Sequence, residues 1–280
     1  MTDERIPAPT LAGRTILMSG GSRGIGLAIA LRAARDGANV VLLAKTDQPD
    51  PRLEGTIHTA AAAIEAAGGQ ALAVVGDVRD EGSVAEAVAR AVERFGGIDV
   101  VVNNASAIDL SGTRDLSMKK YDLMQDINCR GSFLLAKTAL PHLERSDAAH
   151  VLTLSPPLNL NPVWAGRHLG YTIAKYGMSL VTLGLAEELR EVAVAANSLW
   201  PRTLIATSAV QNLLGGEAAM RSSRSPEIMA DAAHVILTSD PRSCTGNFFI
   251  DDEVLRDAGV TDLSAYGSTG AELQQDIFLD

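Results

Sequence analysis

Cysteines, long apolar runs and a signal-like N-terminus are rare or missing in this sequence. It contains only two cysteines, Cys129 in a predicted helix and Cys244 nearer the C-terminus. Such usage disfavours a structural disulfide and is typical of a reduced, cytoplasmic protein. Residues 1–9 are polar and mixed in charge, so we expect no secretory signal. No apolar run is long enough to span a bilayer, which argues against a membrane protein.

Positive charge is also in short supply. The 24 lysines and arginines are outnumbered by 34 aspartates and glutamates, which gives a formal net charge of −10. Because proteins that bind nucleic acid or anionic membranes usually carry a basic face, we expect neither partner. The histidines form no His-x-x-x-His pair and the cysteines no Cys-x-x-Cys pair, so no metal site is expected. The five histidines are His58, His142, His150, His168 and His234.

What the chain does have is a regular alternation of short apolar runs and longer amphipathic stretches. The predicted strands are 15–18, 39–43, 71–75, 98–102, 150–155, 195–199 and 246–250. Strands that are apolar throughout, each followed by a helix, favour a parallel sheet covered on both faces. A chain of 280 residues with 46% hydrophobic content can bury such a core as one domain. We therefore predict an α/β fold for residues 1–280, a single Rossmann-type, doubly wound parallel sheet of about seven strands with helices on both faces.

The helices are predicted from apolar periodicity and from the residues that start and stop them. They cover 24–36, 56–67, 83–95, 117–143 and 171–192, the fourth of them bent or broken. Ser83, with Glu86 three residues on, has the pattern of an N-cap in a capping box. Residues 205–225 have weak periodicity and are predicted to be a mobile lid or loop with one short helix. From about residue 251 the chain is expected to be a polar, acidic tail.

A glycine-rich turn, SGGSRGIG at 19–26, follows the first predicted strand and opens the first predicted helix. Gly20, Gly24 and Gly26 leave room for a pyrophosphate to approach the backbone, and the helix N-terminus offers free N–H groups and positive partial charge. The spacing differs from the common G-x-G-x-x-G, and an ordinary helix-capping turn is the alternative. The strand before the turn and the helix after it favour a dinucleotide site.

The choice between dinucleotides depends on charge at the end of the second strand. Binders of NAD usually place an acid there for the ribose hydroxyls, whereas binders of the 2′-phosphate prefer a cation. Lys45 and Thr46 occupy this position, Arg23 lies in the glycine turn, and Ser22 adds a hydroxyl. Two solvated surface cations are the alternative reading. Because charge-assisted contacts to phosphate are strong, we predict NADP(H) as the preferred cofactor, with NAD(H) also possible.

Two more strand ends add candidate cofactor contacts. Asp77, before Val78, is placed either to bond an adenine amino group or simply to lead into the next helix. The sequence NNAS at 103–106 ends the fourth strand, where ligands bind in such sheets, and its amides are also expected to brace the neighbouring strand. The residues predicted to hold the cofactor are Gly20, Ser22, Arg23, Gly24, Ile25, Gly26, Lys45, Thr46, Asp77, Val78, Asn104, Ala105, Ser106, Tyr171, Lys175, Pro201 and Thr203.

Tyr171 and Lys175 lie four residues apart on a predicted helix, so their side chains share a face. A phenol has an unperturbed pKa of about 10, and a nearby ammonium stabilises its charged form. We therefore expect Lys175 to lower the pKa of Tyr171, which would then exchange a proton with an alcohol or carbonyl oxygen while hydride moves at carbon. The flexible stem of Lys175 also reaches far enough for the cofactor ribose.

Ser155 and Asn128 are the other candidate catalytic residues. Ser155 is predicted to end the fifth strand at the carboxyl edge, where its hydroxyl would hold the substrate oxygen. Asn128, in the long helical region, would hold a water that feeds Lys175. Each residue also has a structural interpretation: Ser155 as a cap, Asn128 as the cause of a bend, and Tyr-x-x-x-Lys as an ordinary helix face. Their joint presence in this order favours catalysis.

These residues together resemble the short-chain dehydrogenase/reductase family, over a match from about residue 13 to about 250. The turn at 19–26 is similar to its cofactor turn, and NNAS at 103–106 to its Asn-Asn-Ala-Gly segment, with Ser106 in place of glycine. Asn128, Ser155, Tyr171 and Lys175 match its catalytic four. The resemblance implies a tyrosine acid/base, a serine that positions a carbonyl or alcohol substrate, and an asparagine that supports a proton relay. It also implies a homodimer or homotetramer formed through the helices at 117–143 and 171–192.

The segments SPPLNL at 155–160, NPVW at 161–164 and LWP at 199–201 resemble the hydroxysteroid dehydrogenase-like 2 branch of this family. That branch often carries a C-terminal sterol-carrier domain, for which no room is expected here. Its link to lipid metabolism makes a lipid-like substrate conceivable. Arg202 replaces the usual glycine after Pro201, and we expect it near the nicotinamide, where it would attract an anionic substrate.

Two other functions compete with hydride transfer. Ser155 lacks the G-x-S-x-G elbow of a serine hydrolase, and no histidine stands in a recognisable triad order. A non-catalytic dinucleotide sensor or scaffold on the same fold is the stronger rival, because fold alone does not determine function. The presence of Tyr171 and Lys175 argues against it, since a pure binder needs no acid/base group.

Overall fold

The computed structural model describes residues 9–49, 55–267 and 272–280. Within them, seven strands form one sheet in the order β3-β2-β1-β4-β5-β6-β7, with every neighbouring pair parallel. This confirms the predicted doubly wound α/β sheet. The strands β1 to β7 are Thr15–Ser19, Asn39–Ala44, Gln70–Val75, Val100–Asn103, His150–Thr153, Ala195–Trp200 and Phe248–Ile250.

The sheet reverses its winding at β1, which pairs with β2 on one side and β4 on the other. Ser19, the last residue of β1, lies opposite Leu43 on β2 and Asn103 on β4. The chain segments that follow these three strands therefore leave the same edge of the sheet side by side. In such folds the crevice at this reversal is the usual ligand site.

Helices cover both faces of the sheet. Side chains alternate along β1, so that Ile16 and Met18 join one core and Leu17 joins the other. None of the helices in the described residues is both long and apolar enough to cross a membrane. The α-helices, labelled α1 to α11, are Gly24–Arg35, Ile57–Ala66, Glu81–Phe95, Met118–Met124, Gly131–Leu143, Pro162–Arg167, Leu169–Glu188, Ser208–Val210, Gly216–Arg221, Glu227–Leu237 and Asp251–Asp257.

Several helix boundaries differ from the prediction. Helix α3 begins at Glu81, because the side chain of Asp80 accepts a hydrogen bond from the N–H of Ser83 at 2.7 Å; Asp80, not Ser83, is the N-cap. The expected break in the long helical region is a π-helix, Gln125–Arg130, between α4 and α5. Helices α6 and α10 were not predicted.

The polar tail expected from about residue 251 is instead folded. Helix α11 buries Val254 and Leu255 against the core. Residues 272–280, which we call the C-terminal segment, return to the carboxyl edge of the sheet, where Gln275 forms an antiparallel bridge with Thr203. Phe278 is completely buried. The apolar residues near the end of a polar stretch thus serve as an anchor.

Candidate active site

Two connected cavities lie at the carboxyl edge of the sheet. The larger, of about 690 Å³, runs along the glycine turn and past the ends of β2 and β3; we call it the glycine-turn groove. The smaller, of about 360 Å³, contains Tyr171 and Lys175 and is called the Tyr171 cavity. The residues that line both are Ile25, Asn104, Ser106, Ile108, Thr207 and Ala209. The two cavities are therefore parts of one site.

Most of the predicted site residues lie on these two cavities. Tyr171, Lys175 and Pro201 line the Tyr171 cavity. The glycine-turn groove is lined by Gly20, Ser22, Arg23, Gly24, Ile25, Lys45, Thr46, Asp77, Val78, Asn104, Ala105 and Ser106. Four predicted residues line neither cavity: Gly26, Asn128, Ser155 and Thr203. For Thr203 the reason is its buried position beside the C-terminal segment; Thr207, which was not predicted, lines both cavities instead.

The glycines of the turn are needed as much for packing as for ligand access. Gly20 has a φ of 73°, and a Cβ there would lie 2.9 Å from the Cα of Ala105. A Cβ on Gly26 would lie 2.5 Å from the Nδ2 of Asn104, which is why Gly26 does not face the groove. The same Nδ2 donates to the carbonyl oxygens of Ser19 at 3.0 Å and Gly20 at 2.7 Å. Asn104 thus fixes the turn against the end of β4.

The N-terminus of α1 is open towards the groove. Its N-cap residue, Arg23, makes no side-chain capping bond, and the first turn of this 12-residue helix has no acidic residue. Gly24 and Ile25, in that first turn, line the groove. Free backbone N–H groups and the positive end of the helix dipole suit a phosphate group. This part of the site therefore fits the pyrophosphate of a dinucleotide.

The charged residues at the far end of the groove are partly paired with one another. The Nζ of Lys45 lies 3.0 Å from a carboxylate oxygen of Asp77, which also accepts from Arg79. Hydrogen bonds from Arg79 chiefly, with help from Lys45, hold the pKa of Asp77 well below its usual range. Arg23 donates to the carbonyl oxygen of Gly55 at 2.9 Å, a neutral partner. An adenine amino group would thus compete with Lys45 and Arg79 for the Asp77 carboxylate.

Lys175 lies one turn after Tyr171 on α7, as predicted, but its ammonium group has other partners. The Nζ donates to the carbonyl oxygen of Leu154 at 2.9 Å and lies 5.2 Å from the centroid of the Trp200 ring. Burial lowers the pKa of Lys175 to about 7, and the carboxylate of Asp276 opposes this shift. The protonation of Lys175 therefore depends on the neighbouring Asp276 carboxylate.

The pKa of Tyr171 changes in the direction opposite to the one expected. Burial raises it above its usual range, the nearby Asp276 carboxylate raises it further, and the Ser106 hydroxyl lowers it. No lowering by Lys175 accompanies these effects, and its Nζ donates to the Leu154 carbonyl. The hydroxyl that acts on Tyr171 thus comes from Ser106, at the end of β4.

Ser155 is not where the prediction placed it. Strand β5 ends at Thr153, and Ser155 is completely buried. Its hydroxyl lies 2.8 Å from that of Ser198 on β6 and does not line the Tyr171 cavity. Because this hydroxyl has no exposed surface and already has a partner, its geometry does not support the positioning role, which stays a prediction. The same contact removes Ser155 as a hydrolase nucleophile, since its partner is a serine and not a histidine.

Asn128 lies in the π-helix and uses its whole side-chain amide on one neighbour. Its Oδ1 accepts from the N–H of Ala107 at 2.7 Å, and its Nδ2 donates to the Ala107 carbonyl at 3.0 Å. Its own carbonyl accepts from the Ser132 hydroxyl at 2.6 Å. These bonds fix the loop that carries Ser106. A π-helical turn at such a place is common near functional sites.

The C-terminal segment supplies the part of the site that the sequence did not reveal. Asp276 lines the Tyr171 cavity, together with Gln274, Gln275 and Ile277. Two residues later, Phe278 sits among five aromatic rings at centroid distances of 5.3 to 6.1 Å. These rings belong to Trp164, His168, Tyr171, Tyr176 and Trp200. The segment is thus packed directly against the tyrosine of the site.

Arg202 does not face the cavity as expected. Its Nε lies 3.1 Å from Asp252, and its Nη2 bonds to Glu253, both on α11. These two acids compensate its charge. The expected attraction of an anionic substrate by Arg202 is therefore not supported.

Comparison with known proteins gives a consistent result. Residues 14–217 match the family model of short chain dehydrogenases. The hydroxysteroid dehydrogenase-like protein 2 of Xenopus tropicalis is 55% identical over 271 residues, or 96% of this chain and 64% of that protein. The Homo sapiens protein of the same name is 52% identical over 271 residues, again 96% and 64%. The chain thus spans less than two thirds of the length of these curated relatives.

Solved structures agree with the sequence matches. A short-chain dehydrogenase from Mycobacterium thermoresistibile is 54% identical and has a TM-score of 0.92, over 97% of this chain and 96% of that one. A short-chain dehydrogenase/reductase from Serratia marcescens BCRC 10948 is 28% identical with a TM-score of 0.74, over 86% of this chain and 96% of that one. Both predicted resemblances, to the family and to its branch, are confirmed.

Proposed function

Because this chain belongs to the short-chain dehydrogenase family, we propose that it is an oxidoreductase that interconverts an alcohol and a carbonyl with a nicotinamide cofactor. The observation that carries this proposal is the position of Tyr171 and Lys175, one helical turn apart in a cavity that opens into the glycine-turn groove. A cofactor in the groove supplies the hydride acceptor or donor. Fold similarity alone would not support the chemistry, whereas this arrangement of side chains does.

Tyr171 is the acid/base residue of the proposed reaction. In reduction its hydroxyl donates a proton to the carbonyl oxygen, and in oxidation it takes the proton back from the alcohol. A charged Lys175 favours the tyrosinate that remains, and its chain is long enough to bond the cofactor ribose as well. The second hydroxyl directed at the substrate oxygen is that of Ser106, which lines both cavities, in place of the buried Ser155.

Asn128 acts through the loop that it holds. Its two bonds to Ala107 fix the residue next to Ser106, so we assign it the role of a positioning residue. The relay predicted from the family, in which it supports a water near Lys175, remains part of the proposal.

NADP(H) is the cofactor that the charges favour. Lys45 and Arg23 both line the groove. Together with Arg79 they place three cations near one described carboxylate, that of Asp77. Arg23 is bonded only to the Gly55 carbonyl among the described residues, so its charge is available for the 2′-phosphate. Phosphate bound by guanidinium and ammonium groups gains charge-assisted hydrogen bonds.

Assembly into a homodimer or homotetramer through α5 and α7 is also part of the proposal, as is a cytoplasmic location. Large apolar side chains on these helices are open to solvent. Phe133 on α5 is 50% exposed, and Leu180 and Leu183 on α7 are 57% and 44% exposed. Apolar surface on two neighbouring helices is typical of an interface between copies.

The deciding experiment replaces the phenol. Tyr171→Phe should lower kcat/KM for ketone reduction with NADPH by roughly 10²-fold or more, the usual contribution of a general acid. Tyr176→Phe is a matched control, because this hydroxyl lies on the same helix but is bonded to the Asn159 carbonyl. NADPH binding, followed by nicotinamide fluorescence, should be unchanged in both variants. NADPH binding without turnover of any ketone by the unmodified protein would favour a sensor instead.

A further inference from the structure

The Tyr171 cavity is predominantly apolar and contains few charged groups. Among the described residues that line it, only Lys175 and Asp276 have ionisable side chains other than the phenol of Tyr171. The greater part of the wall is formed by hydrocarbon side chains, including Ile108, Leu110, Leu154, Leu204, Val210 and Met229. A substrate that enters this cavity therefore meets one cation, one carboxyl group and an apolar surface.

The cation is already engaged. The Nζ of Lys175 donates to the Leu154 carbonyl and faces the ring of Trp200. Asp276 is the oppositely charged group that acts on it. Arg202, the nearest guanidinium in sequence to the cavity residue Pro201, is held on the acids of α11. Among the described residues that line the cavity, a substrate carboxylate would find no unengaged cation and would face the Asp276 carboxylate.

Asp276 is fixed in this position by the backbone around it. Its N–H donates to the Arg202 carbonyl at 3.0 Å, and its Oδ1 accepts from the N–H of Ile277 at 2.7 Å. The carbonyl of Ile277 accepts from the Nε1 of Trp200 at 3.0 Å. Phe278 anchors the segment beyond it. The carboxyl group is therefore part of a built wall and not a mobile surface side chain.

The geometry points to Asp276 as a specificity-determining residue, which makes the Tyr171 cavity select neutral, apolar alcohols and carbonyls over substrates that carry a carboxylate. This inference rests on the proposed function, whose site it refines. A carboxylate in a poorly solvated cavity repels a second one, whereas an alkyl group gains from the apolar wall. Burial raises the pKa of Asp276 to about 7, so its repulsion is strongest above that pH.

The test measures binding and not turnover, so that it can be interpreted even if the proposed reaction is wrong. Decan-1-ol and decanoate have the same chain length and differ in charge. Their binding to the full chain at pH 8 is followed by the quenching of tryptophan fluorescence, because Trp200 lines the cavity. The variants are Asp276→Asn, Asp276→Glu and Asp257→Asn; the last removes a charge from an exposed position on α11.

We expect the unmodified protein to bind decan-1-ol at least about tenfold more tightly than decanoate, a difference of about 1.4 kcal/mol. Asp276→Asn should tighten decanoate alone and reduce the ratio to about threefold or less. Asp276→Glu and Asp257→Asn should keep the original ratio. An unchanged ratio in Asp276→Asn, or no binding of the alcohol by the unmodified protein, would overturn the inference. Loss of turnover in Tyr171→Phe tests the proposed function separately.

Discussion

The hydroxyl of Ser155 lies 2.8 Å from the hydroxyl of Ser198, and neither side chain has any exposed surface. This pair joins the segment that follows β5 to β6. Ser155, a candidate catalytic residue in the sequence, thus uses its hydroxyl on a neighbouring strand. The hydroxyl that lowers the pKa of Tyr171 belongs to Ser106, on the loop after β4.

Ser106→Ala should therefore reduce kcat/KM for ketone reduction more than Ser155→Ala does. We expect a loss of about tenfold or more in the first variant, the value of one hydrogen bond to a developing charge, and less than about threefold in the second. Ser155→Ala should instead lower the free energy of unfolding by about 1–3 kcal/mol, because Ser198 loses a buried partner. Steady-state kinetics and urea unfolding measure the two effects. The reverse order of activities would restore Ser155 to the site.

Arg23→Ala and Lys45→Ala should each weaken NADPH binding by about tenfold, since each removes a charge-assisted contact to the 2′-phosphate. NADH lacks that phosphate, so its binding should change by less than about threefold. Nicotinamide fluorescence gives both affinities. Lys119→Ala, at an exposed position on α4, controls for the loss of one positive charge. If the binding of NADPH and of NADH weakened equally, these cations would not contact the 2′-phosphate.

Phe278→Ala should release the C-terminal segment. Truncation of a buried phenylalanine costs about 3–5 kcal/mol where the chain cannot move away. We expect the segment to detach once this ring is lost, which limits the loss of stability and exposes the rings that contacted Phe278. The sequence has only two tryptophans, Trp164 and Trp200, and both pack on Phe278. Their emission should shift to the red, and hydrogen exchange over 272–280 should accelerate.

Phe95→Ala provides the comparison for that variant. Phe95 packs on the core that contains Leu17 and does not line the Tyr171 cavity. It should lower the melting temperature without changing tryptophan emission. Unaltered emission in Phe278→Ala together with a lower melting temperature would mean that the segment stays in place.

Asp276→Asn should stabilise the protein above neutral pH. Burial raises the pKa of Asp276 to about 7, so the folded state holds its proton more tightly than the unfolded state does. The carboxyl group therefore costs nothing when both states are protonated, below its unfolded pKa of about 4, and costs most above pH 7. Lys175 limits this cost, and Asp251 adds to it.

The free energy of unfolding of Asp276→Asn, relative to the unmodified protein, should thus rise between pH 4 and pH 7 and then level off. Urea unfolding at pH 4.5, 6 and 8.5 measures this difference. Asp257→Asn, at an exposed position, should show no such trend. A constant difference across the series would mean that the Asp276 carboxyl is well solvated.

Leu180→Glu should dissociate the proposed assembly, because it places a charge on the exposed apolar face of α7. Sedimentation velocity should give a slower species than for the unmodified protein. Leu160→Glu makes the same change at a more exposed position outside both helices, 87% against 57%, and should leave the sedimentation unchanged. A single monomeric species for all three proteins would remove α5 and α7 as an interface.

Local sequence signals were sufficient for the sheet and for much of the groove. Strands such as β1 and β2 consist mainly of a continuous apolar run, and the glycine turn is recognisable from its neighbours in sequence. Helix α10 was also legible, since Ile228, Ala232 and Ile236 are spaced like one helix face after Pro226; the prediction overlooked it. Asp80 and Ser83 are both competent N-caps, and only the observed bond distinguishes them.

The remaining features depend on contacts between distant parts of the chain. Nothing near Lys45 in sequence reveals its pairing with Asp77, 32 residues away. Ser155 occupies the expected position in the chain, but its burial depends on Ser198, 43 residues further on. Asp276 and Phe278 have no periodic pattern around them, and their role follows only from the folding of the C-terminal segment onto α7.

The position of the C-terminal segment has a consequence for synthesis on the ribosome. Residues 274–277 are translated after every other described residue that lines the Tyr171 cavity. The sheet, the glycine-turn groove and α7 can all form earlier, as chains fold during translation at about 5–20 residues per second. Until the segment emerges, the cavity lacks Asp276, and Tyr171 and Trp200 lack their contact with Phe278. A nascent chain can therefore reach a nearly complete fold with a cavity that lacks its selective wall.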